Sequence, residues 1–420
     1  MKKNLVKKIL LQKHASFTRG TTVYIDVPAS KSLSNRYLIL QALCRNRFDI
    51  LNLSPANDTV LLHKLLSSFR TVTILDVEDA GTAARFLTAF LSVQQGGEWI
   101  LRGTNRMHER PIEPLVNALR QLGADIRYLK KEGFLPLLIK GKKIRGGKIS
   151  LDVSQSSQFL SALLLVSPEL ELLEINLSSR PVSFPYVKMT LEILKRCGAE
   201  ICIDHNKIKI IARDLHCRQV VIENDWSSAA VWYAAVAISP DHYPSVFVKG
   251  LSSGSIQGDR RLAGYFEYFG VKTFFEQDGI RLEKKELERK KISLHLIDTP
   301  DIVPSLTITA AALGMETEFT GLQTLRLKET DRMQVLAEEL KAMNINILHN
   351  NDSIFIEGGQ RIKRADRPLK TFKDHRMAMA FAPLSLLFGE LEIEDPDVVK
   401  KSYPDFWNQF NRLAKTNLYI

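Results

Sequence analysis

Cysteine is scarce in this chain of 420 residues: there are four, Cys44, Cys197, Cys202 and Cys217, and none forms a Cys-x-x-Cys pair. That usage excludes a disulfide-stapled scaffold and fits reduced thiols in a cytoplasm. Cys202, His205, His216 and Cys217 fall in a strand, turn, strand pattern with irregular spacing, so no zinc site is expected. Long apolar runs are missing as well. Leu160 to Val166 and Ala378 to Phe388 fall short of the roughly 20 residues that span a bilayer, which excludes a membrane helix. Lys7 and Lys8 interrupt the apolar run from Leu5 to Leu11 and no small-residue cleavage site follows, so no signal peptide is expected. Aromatic residues make up only 8% of the chain and are not interleaved with the basic ones. The net charge of +11, from 58 basic and 47 acidic residues, suits nucleic acid, an anionic membrane surface or small acidic substrates, and the lack of interleaved aromatics argues against a nucleic-acid platform. No Pro/Gly/Ser-rich linker is present, yet the length exceeds one ordinary core, and two domains are expected.

What is present is a repeat. Six times, small or polar residues give way abruptly to an apolar, helix-like run, at Ser32, Thr82, Ser157, Ser228, Ser305 and His375. The steps between these starts are 50, 75, 71, 77 and 70 positions, a period of roughly seventy residues. The runs are apolar nearly all round, which predicts buried helices with only their polar starts reaching a surface. A second, amphipathic helix belongs to most units: Pro111 to Leu122, Tyr186 to Cys197, Arg260 to Phe269 and Met333 to Met343. These stop at Gly123, Gly198, Gly270 and Asn344, residues that suit a helix C-terminus. Short β-rich runs lie between them, such as Glu98 to Leu101, Glu200 to Ile203, Lys207 to Ile211 and Ile345 to Leu348. Each unit thus reads strand, helix, strand, helix, strand, strand, and three units per domain make two similar domains of α/β (α+β) class. If the six positive helix ends converge on one cleft, that cleft is a strong anion trap.

The chemically distinctive residues gather at these starts. Lys328-Glu329-Thr330-Asp331-Arg332 puts two cations and two carboxylates into five residues opening a helix. Ser30-Lys31-Ser32 with Arg36 one turn on suits phosphate or carboxylate. Gly81, in Ala80-Gly81-Thr82-Ala83, lets a backbone approach a ligand. Arg106 and Arg110 share a loop with His108, and Ser156-Ser157-Gln158 offers neutral donors and acceptors for a polyhydroxylated ligand.

With these motifs in view, the chain resembles the 5-enolpyruvylshikimate-3-phosphate synthase family. The match runs in order through Ser30-Lys31-Ser32 to Asn35-Arg36, Ala80-Gly81-Thr82-Ala83, Glu109-Arg110-Pro111-Ile112, Ser156 to Leu160 and Lys328 to Arg332, then Asp374 to Met379 and Lys401-Ser402-Tyr403-Pro404-Asp405. The resemblance implies transfer of the enolpyruvyl group of phosphoenolpyruvate to the 5-hydroxyl of shikimate 3-phosphate with release of phosphate. The reaction is an addition followed by elimination through a tetrahedral intermediate, without metal or cofactor. It implies an inverse α/β barrel architecture, with one discontinuous domain of 1–28 and 225–420, an inserted domain of 29–224, and a site in the cleft between them. It also implies a cytoplasmic monomer with no nucleic-acid or membrane partner. Shikimate 3-phosphate alone is expected to compact the protein.

Residue by residue, Asp301 matches the carboxylate that accepts the hydroxyl proton, with Asp298 the competing candidate three positions earlier. Glu329 matches the proton donor to the methylene group, a role that calls for a raised pKa. Lys31 matches a residue touching both substrates, and Gln158 one lying between them. Ser32, Arg36, Ser156, Ser157, Ser183 and Lys328 match the shikimate 3-phosphate set. Gly81, Arg110, Arg332, Arg376 and Lys401 match the phosphoenolpyruvate set. Asp225 and Tyr186 match the family in either a functional or a structural role, His375 suits a capping or orienting role, and His108 is incidental. Three positions depart from the family: Ala29, where Gly is usual, Asp79 and Thr324. The sister enzyme acting on UDP-N-acetylglucosamine is the nearest rival, but its usual reactive Cys is not apparent in the Arg106 to Pro111 loop.

Overall fold

The computed structural model describes residues 6–14, 20–44, 48–212, 215–241 and 243–419, so residues 1–5, part of the segment weighed for a leader, lie outside it. Contacts divide the chain into Ala29–Ile222, an inserted unit, and Met1–Pro28 with Glu223–Ile420, a discontinuous one.

The inserted unit contains α1 (Lys31–Leu43), α2 (Asn57–Ser68), α3 (Gly81–Ser92), α4 (Glu113–Gln121), α5 (Ser157–Leu165) and α6 (Phe184–Arg196). Strand Ile74–Asp76 runs parallel to Glu98–Arg102, with α3 as the crossover that a parallel pair requires. Glu98–Arg102 then pairs antiparallel with Leu137–Lys140, whose hairpin partner is Asp125–Tyr128. The same order recurs in Gly146–Leu151, Leu172–Leu177, Lys207–Ile211 and Glu200–Asp204. The unit's remaining sheet is one parallel pair, Ile50–Leu51 with Val220–Val221. Period-two burial aims each sheet at the helices: Leu173, Ile175 and Leu177 are buried, while the residues between them are only half-buried.

The discontinuous unit contains α7 (Trp226–Ile238), α8 (Leu262–Tyr265), α9 (Val303–Leu313), α10 (Arg332–Ala342), α11 (His375–Phe381), α12 (Leu384–Phe388) and α13 (Phe406–Phe410). Two sheets repeat the βαβαββ order: Thr22–Ile25, Ser245–Lys249, Gly279–Lys284 and Val271–Glu276, and then Ile292–His295, Thr317–Thr320, Ser353–Ile356 and Ile347–His349. The last sheet places the N-terminal strand Lys8–Lys13 between Glu390–Glu394 and Ala414–Tyr419. A parallel bridge from Leu369 to Ile393 supplies the equivalent of the first strand.

All six apolar runs are helices, and they are buried as their composition requires. Every residue of α7 is buried, and in α3 only Thr82 is not. Gly123, Gly198, Gly270 and Asn344 all take positive φ where the second helices stop. Several elements differ from the sequence reading, among them helices α4 and α6, which start at Glu113 and Phe184 where Pro111 and Tyr186 were expected. Arg260 to Phe269 is not one helix but a 3-10 turn (Gly258–Arg261), the single turn α8 and a second 3-10 turn (Phe266–Phe269), in a segment weakened by Gly258, Gly264 and four aromatics. The run from His375 to Leu387 splits into α11 and α12 at Pro383, which cannot donate inside a helix. Strand Ile347–His349 starts two residues later than expected.

Two of the thiols expected to be reduced are joined, Cys197 to Cys217, with Cα atoms 4.5 Å apart. The backbone of His216 donates to the Cys197 carbonyl at 2.9 Å, returning the chain beside the end of α6, a juxtaposition that 20 residues of separation hide. Cys44 lies close, its Sγ 3.9 Å from that of Cys217. Among the described residues no helix is long and apolar enough to cross a membrane, and no group of three or more His, Cys, Asp or Glu could hold a metal ion.

Candidate active site

In the inserted unit the predicted residues stand at helix starts. Ser30 caps α1, accepting from the Leu33 amide, and leaves Lys31 and Ser32 in the first turn. Lys31 Nζ lies 3.0 Å from Asp58 Oδ2 on α2, so its ammonium is held by a nearly buried carboxylate. Ser156 caps α5 by accepting from the Gln158 amide. The Gln158 side chain donates to Thr82 Oγ1 at 3.1 Å and so ties the start of α5 to that of α3. A Cβ on Gly81 would stand 2.6 Å from Arg110 Nη1, which shows how closely that guanidinium lies against the start of α3. Ser183 has φ of 52° immediately before α6.

Arg36 is the most enclosed of this set. It donates Nε to Thr190 Oγ1 at 2.8 Å, Nη1 to the Ser32 carbonyl at 2.7 Å, and Nη2 to the Tyr186 carbonyl at 3.0 Å and Ser161 Oγ at 3.3 Å. Protein groups thus occupy four of its five N–H donors. Burial pushes its pKa down to about 10, and it remains a cation at neutral pH. Arg36 therefore both braces α1 against α6 and presents charge. Tyr186 enters through its backbone carbonyl.

The discontinuous unit holds a denser arrangement centred on Arg332, the first residue of α10, which Asp331 caps by accepting from the Met333 and Gln334 amides. Arg332 donates Nε to Asp374 Oδ2 at 2.8 Å, Nη1 to Asp301 Oδ1 at 3.1 Å, and Nη2 to Glu329 Oε2 at 3.2 Å and Asp374 Oδ1 at 3.3 Å. The proposed base and acid therefore meet on one guanidinium. Lys328 Nζ also reaches Asp301 Oδ1 at 3.1 Å, and Arg376 Nη2 lies 3.6 Å from Asp301 Oδ2. Burial pushes the Asp301 carboxyl up, but Lys328, Arg376 and Arg332 outweigh it and hold the group well below the usual carboxylate range. Burial likewise works against the Arg332 charge, and Asp374, Glu329 and Asp301 more than restore it. Three cations, Lys328, Arg332 and Arg376, thus face three carboxylates, Asp301, Glu329 and Asp374. Lys401 is buried at the end of a 3-10 turn, Pro396–Lys401.

Asp298 is held elsewhere, accepting from Arg261 Nη1 at 2.9 Å, which separates it from the cations gathered on Asp301. Asp225 caps α7, accepting from the Ser228 amide and hydroxyl, a structural role. The cap of α11 is Asp374, which accepts from the Arg376 amide at 2.8 Å, and not His375. Asp374 and Asp58 were not singled out in the sequence, because their cations, Arg332 and Lys31, lie 42 and 27 positions away.

A clustered Lys-Glu-Arg centre at one buried helix start, with Lys31, Gly81 and Gln158 at others and Arg110 against the start of α3, is the pattern against which relatives can be compared. A family model described as EPSP synthase (3-phosphoshikimate 1-carboxyvinyltransferase) matches residues 60–410. The chain belongs to the EPSP synthase family. It is 41% identical over 391 residues to a 3-phosphoshikimate 1-carboxyvinyltransferase of Bacteroides fragilis, covering 92% of this chain and 94% of that one. To the enzyme of that name from Haemophilus influenzae it is 35% identical over 426 residues, covering 94% and 96%. In fold it resembles the EPSP synthase structure from Acinetobacter baumannii, with TM-score 0.75 at 22% identity over 99% of this chain and 100% of that one. It also resembles the enolpyruvyl transferase NikO from Streptomyces tendae, with TM-score 0.74 at 14% identity over 99% of each chain. Of the positions that depart from the usual EPSP synthase pattern, Ala29 and Thr324 are buried and Asp79 is half-buried.

Proposed function

We propose that this chain is a 3-phosphoshikimate 1-carboxyvinyltransferase. It joins C2 of phosphoenolpyruvate to the 5-oxygen of shikimate 3-phosphate and releases inorganic phosphate. The observation that carries the reading is the sharing of Arg332 by Asp301 and Glu329, within reach of Lys328 and Arg376. In this reading Asp301, kept ionised by its cations, takes the hydroxyl proton while Glu329 delivers a proton to the methylene carbon. Elimination then removes a proton from the resulting methyl group and expels phosphate.

Arg332, Arg376, Lys401, Arg110, Lys31, Gly81 and Gln158 take the phosphate and carboxylate of phosphoenolpyruvate. Lys31, Ser32, Arg36, Ser156, Ser157, Gln158, Ser183, Lys328 and Asp301 take shikimate 3-phosphate. In this reading residues 1–28 and 225–420 supply the acid and base. An anion taken up by the Arg332 cluster competes with Asp301 and Glu329 for its cations. A carboxylate released from a cation holds a proton more tightly, so substrate binding itself primes the acid and the base. The reading includes a cytoplasmic location and a monomeric state, the latter testable by sedimentation velocity.

The deciding experiment measures phosphate release from phosphoenolpyruvate with shikimate 3-phosphate, without it, and with UDP-N-acetylglucosamine instead. Release that depends on shikimate 3-phosphate is expected. Turnover only with the sugar nucleotide would overturn the assignment.

A further inference from the structure

The backbone just before α11 takes an uncommon conformation. Phe372 and Lys373 have φ of 50° and 60°, and among the described residues they are the only adjacent pair of non-glycine residues with positive φ. Left-handed φ crowds Cβ against the backbone, so such residues persist only where their surroundings fix them. Both side chains are exposed, and the fixing comes instead from the two ends of the segment. Downstream, Asp374 is fully buried, accepts from the Arg332 guanidinium and caps α11 through the Arg376 amide. Upstream, the Leu369 amide donates to the Glu392 carbonyl at 2.9 Å and the Leu369 carbonyl accepts from the Glu394 amide at 2.9 Å, which pins this strap to a sheet. Glu339 of α10 holds it from another side. Its carboxylate accepts from Nη1 and Nη2 of Arg367 at 2.8 and 3.0 Å, and from the Lys370 amide at 3.2 Å.

Glu339 is fully buried, while the Arg367 side chain is 38% exposed. Seven positions separate Arg332 from Glu339, close to two helical turns, so both stand on one face of α10 about 10 Å apart along its axis. That face grips the strap twice, at residues 367–370 and at Asp374, with the two left-handed residues between the grips.

We propose that Glu339 is a positioning residue for phosphoenolpyruvate binding: by holding Arg367 and the Lys370 amide it maintains the bend at Phe372 and Lys373 and so sets where Asp374 and Arg376 stand. The inference rests on the proposed roles of Arg332 and Arg376 at that substrate. Without the bridge the bend relaxes toward ordinary φ. Asp374 is the next residue, so the relaxation moves the cap of α11 and the Arg376 that follows it. The proposed acid and base, Glu329 and Asp301, lie on other segments, and affinity therefore suffers more than chemistry.

The test compares KM with kcat. Glu339→Gln keeps the shape of the side chain but loses its charge and an acceptor. The KM for phosphoenolpyruvate is expected to rise about tenfold while kcat stays within about threefold. Arg367→Lys keeps a cation without the fork; it should shift KM the same way by less, and it carries the test if Glu339→Gln does not fold. The deciding variant adds Phe372→Gly and Lys373→Gly to either background. Glycine takes positive φ without a Cβ clash, so the bend no longer needs the clamp, and KM should return to within about threefold of wild type. A bridge that only stabilised the fold would give no such rescue. A wild-type KM in Glu339→Gln, or a KM left high by the two glycines, would overturn the proposal.

Amide hydrogen exchange reads the clamp without activity. Faster exchange across residues 370–376 in Glu339→Gln is expected, and unchanged exchange would overturn the proposal even if phosphate release with shikimate 3-phosphate is normal. Faster exchange in a protein without such release would mean that the proposed function has failed and the clamp has not.

Discussion

The two sets of candidate residues solve anion binding in opposite ways. Around Arg332 the charges come in pairs: Lys328, Arg332 and Arg376 each lie beside a carboxylate, and the side chains of Arg332 and Asp374 are 1% and 0% exposed. In the inserted unit the candidate side chains Arg36, Arg110 and Gln158 lie against neutral groups. Arg36 donates to carbonyls and hydroxyls, Arg110 lies against the start of α3, and Gln158 bonds a threonine. The first arrangement has to be perturbed by a ligand before it reacts, which suits acid-base work. The second is set before any ligand arrives, which suits recognition. Lys31, paired with Asp58, is the one member of the inserted set that behaves like the other cluster.

Substitutions can break this contrast, with the largest effect expected at the proposed acid. Glu329→Gln should bind both substrates yet lose about 10²- to 10⁴-fold in turnover, as removal of a proton donor does. Steady-state rates with equilibrium binding check this, and near-normal rates would remove Glu329 from the role. Asp374→Ala strips a fully buried partner from Arg332 and removes the cap of α11. Leaving that guanidinium uncompensated should cost about 3–5 kcal/mol of unfolding free energy, read by denaturant titration. A loss under about 1 kcal/mol would mean that Asp301 and Glu329 alone satisfy the fork.

The recognition side should respond more gently, through KM. Gly81→Ala puts a methyl 2.6 Å from Arg110 Nη1, and the long side chain must shift. A rise in the KM for phosphoenolpyruvate of about tenfold is expected with the fold intact, the size of a lost charge-assisted hydrogen bond. Gln158→Ala removes one neutral bond between α5 and α3. It should change KM by only about two- to tenfold. An effect from Gln158→Ala as large as that from Glu329→Gln would erase the distinction between the two regions.

The legibility of the fold follows the same divide. The six buried helices could be read because a polar start followed by a run apolar on every side has no other stable place than a core. The second helices were readable where a stripe and a closing Gly or Asn marked them. α2 was passed over because its N-cap is Ala56, with no side-chain hydrogen bond to announce a start. The helix expected over Arg260 to Phe269 was misread because the stripe was real but its backbone was weakened by glycine and aromatic residues, so tertiary packing broke it into turns. Within the site, the motif residues were visible as types at a spacing. Their partners were not: Asp374 and Asp58 are ordinary acidic residues until the fold brings them to Arg332 and Lys31. The Cys197–Cys217 link was hidden for the same reason, since only the return of the chain past the end of α6 makes the two neighbours.

The strand Lys8–Lys13 lies between Glu390–Glu394 and Ala414–Tyr419, so one sheet is stitched from segments on either side of the inserted unit in the sequence. Residues 29–222 hold all their own sheet partners and can settle while later segments are still being made, whereas Lys8–Lys13 has to wait for strands that follow them. The Arg332 cluster belongs to the unit that this delayed pairing completes.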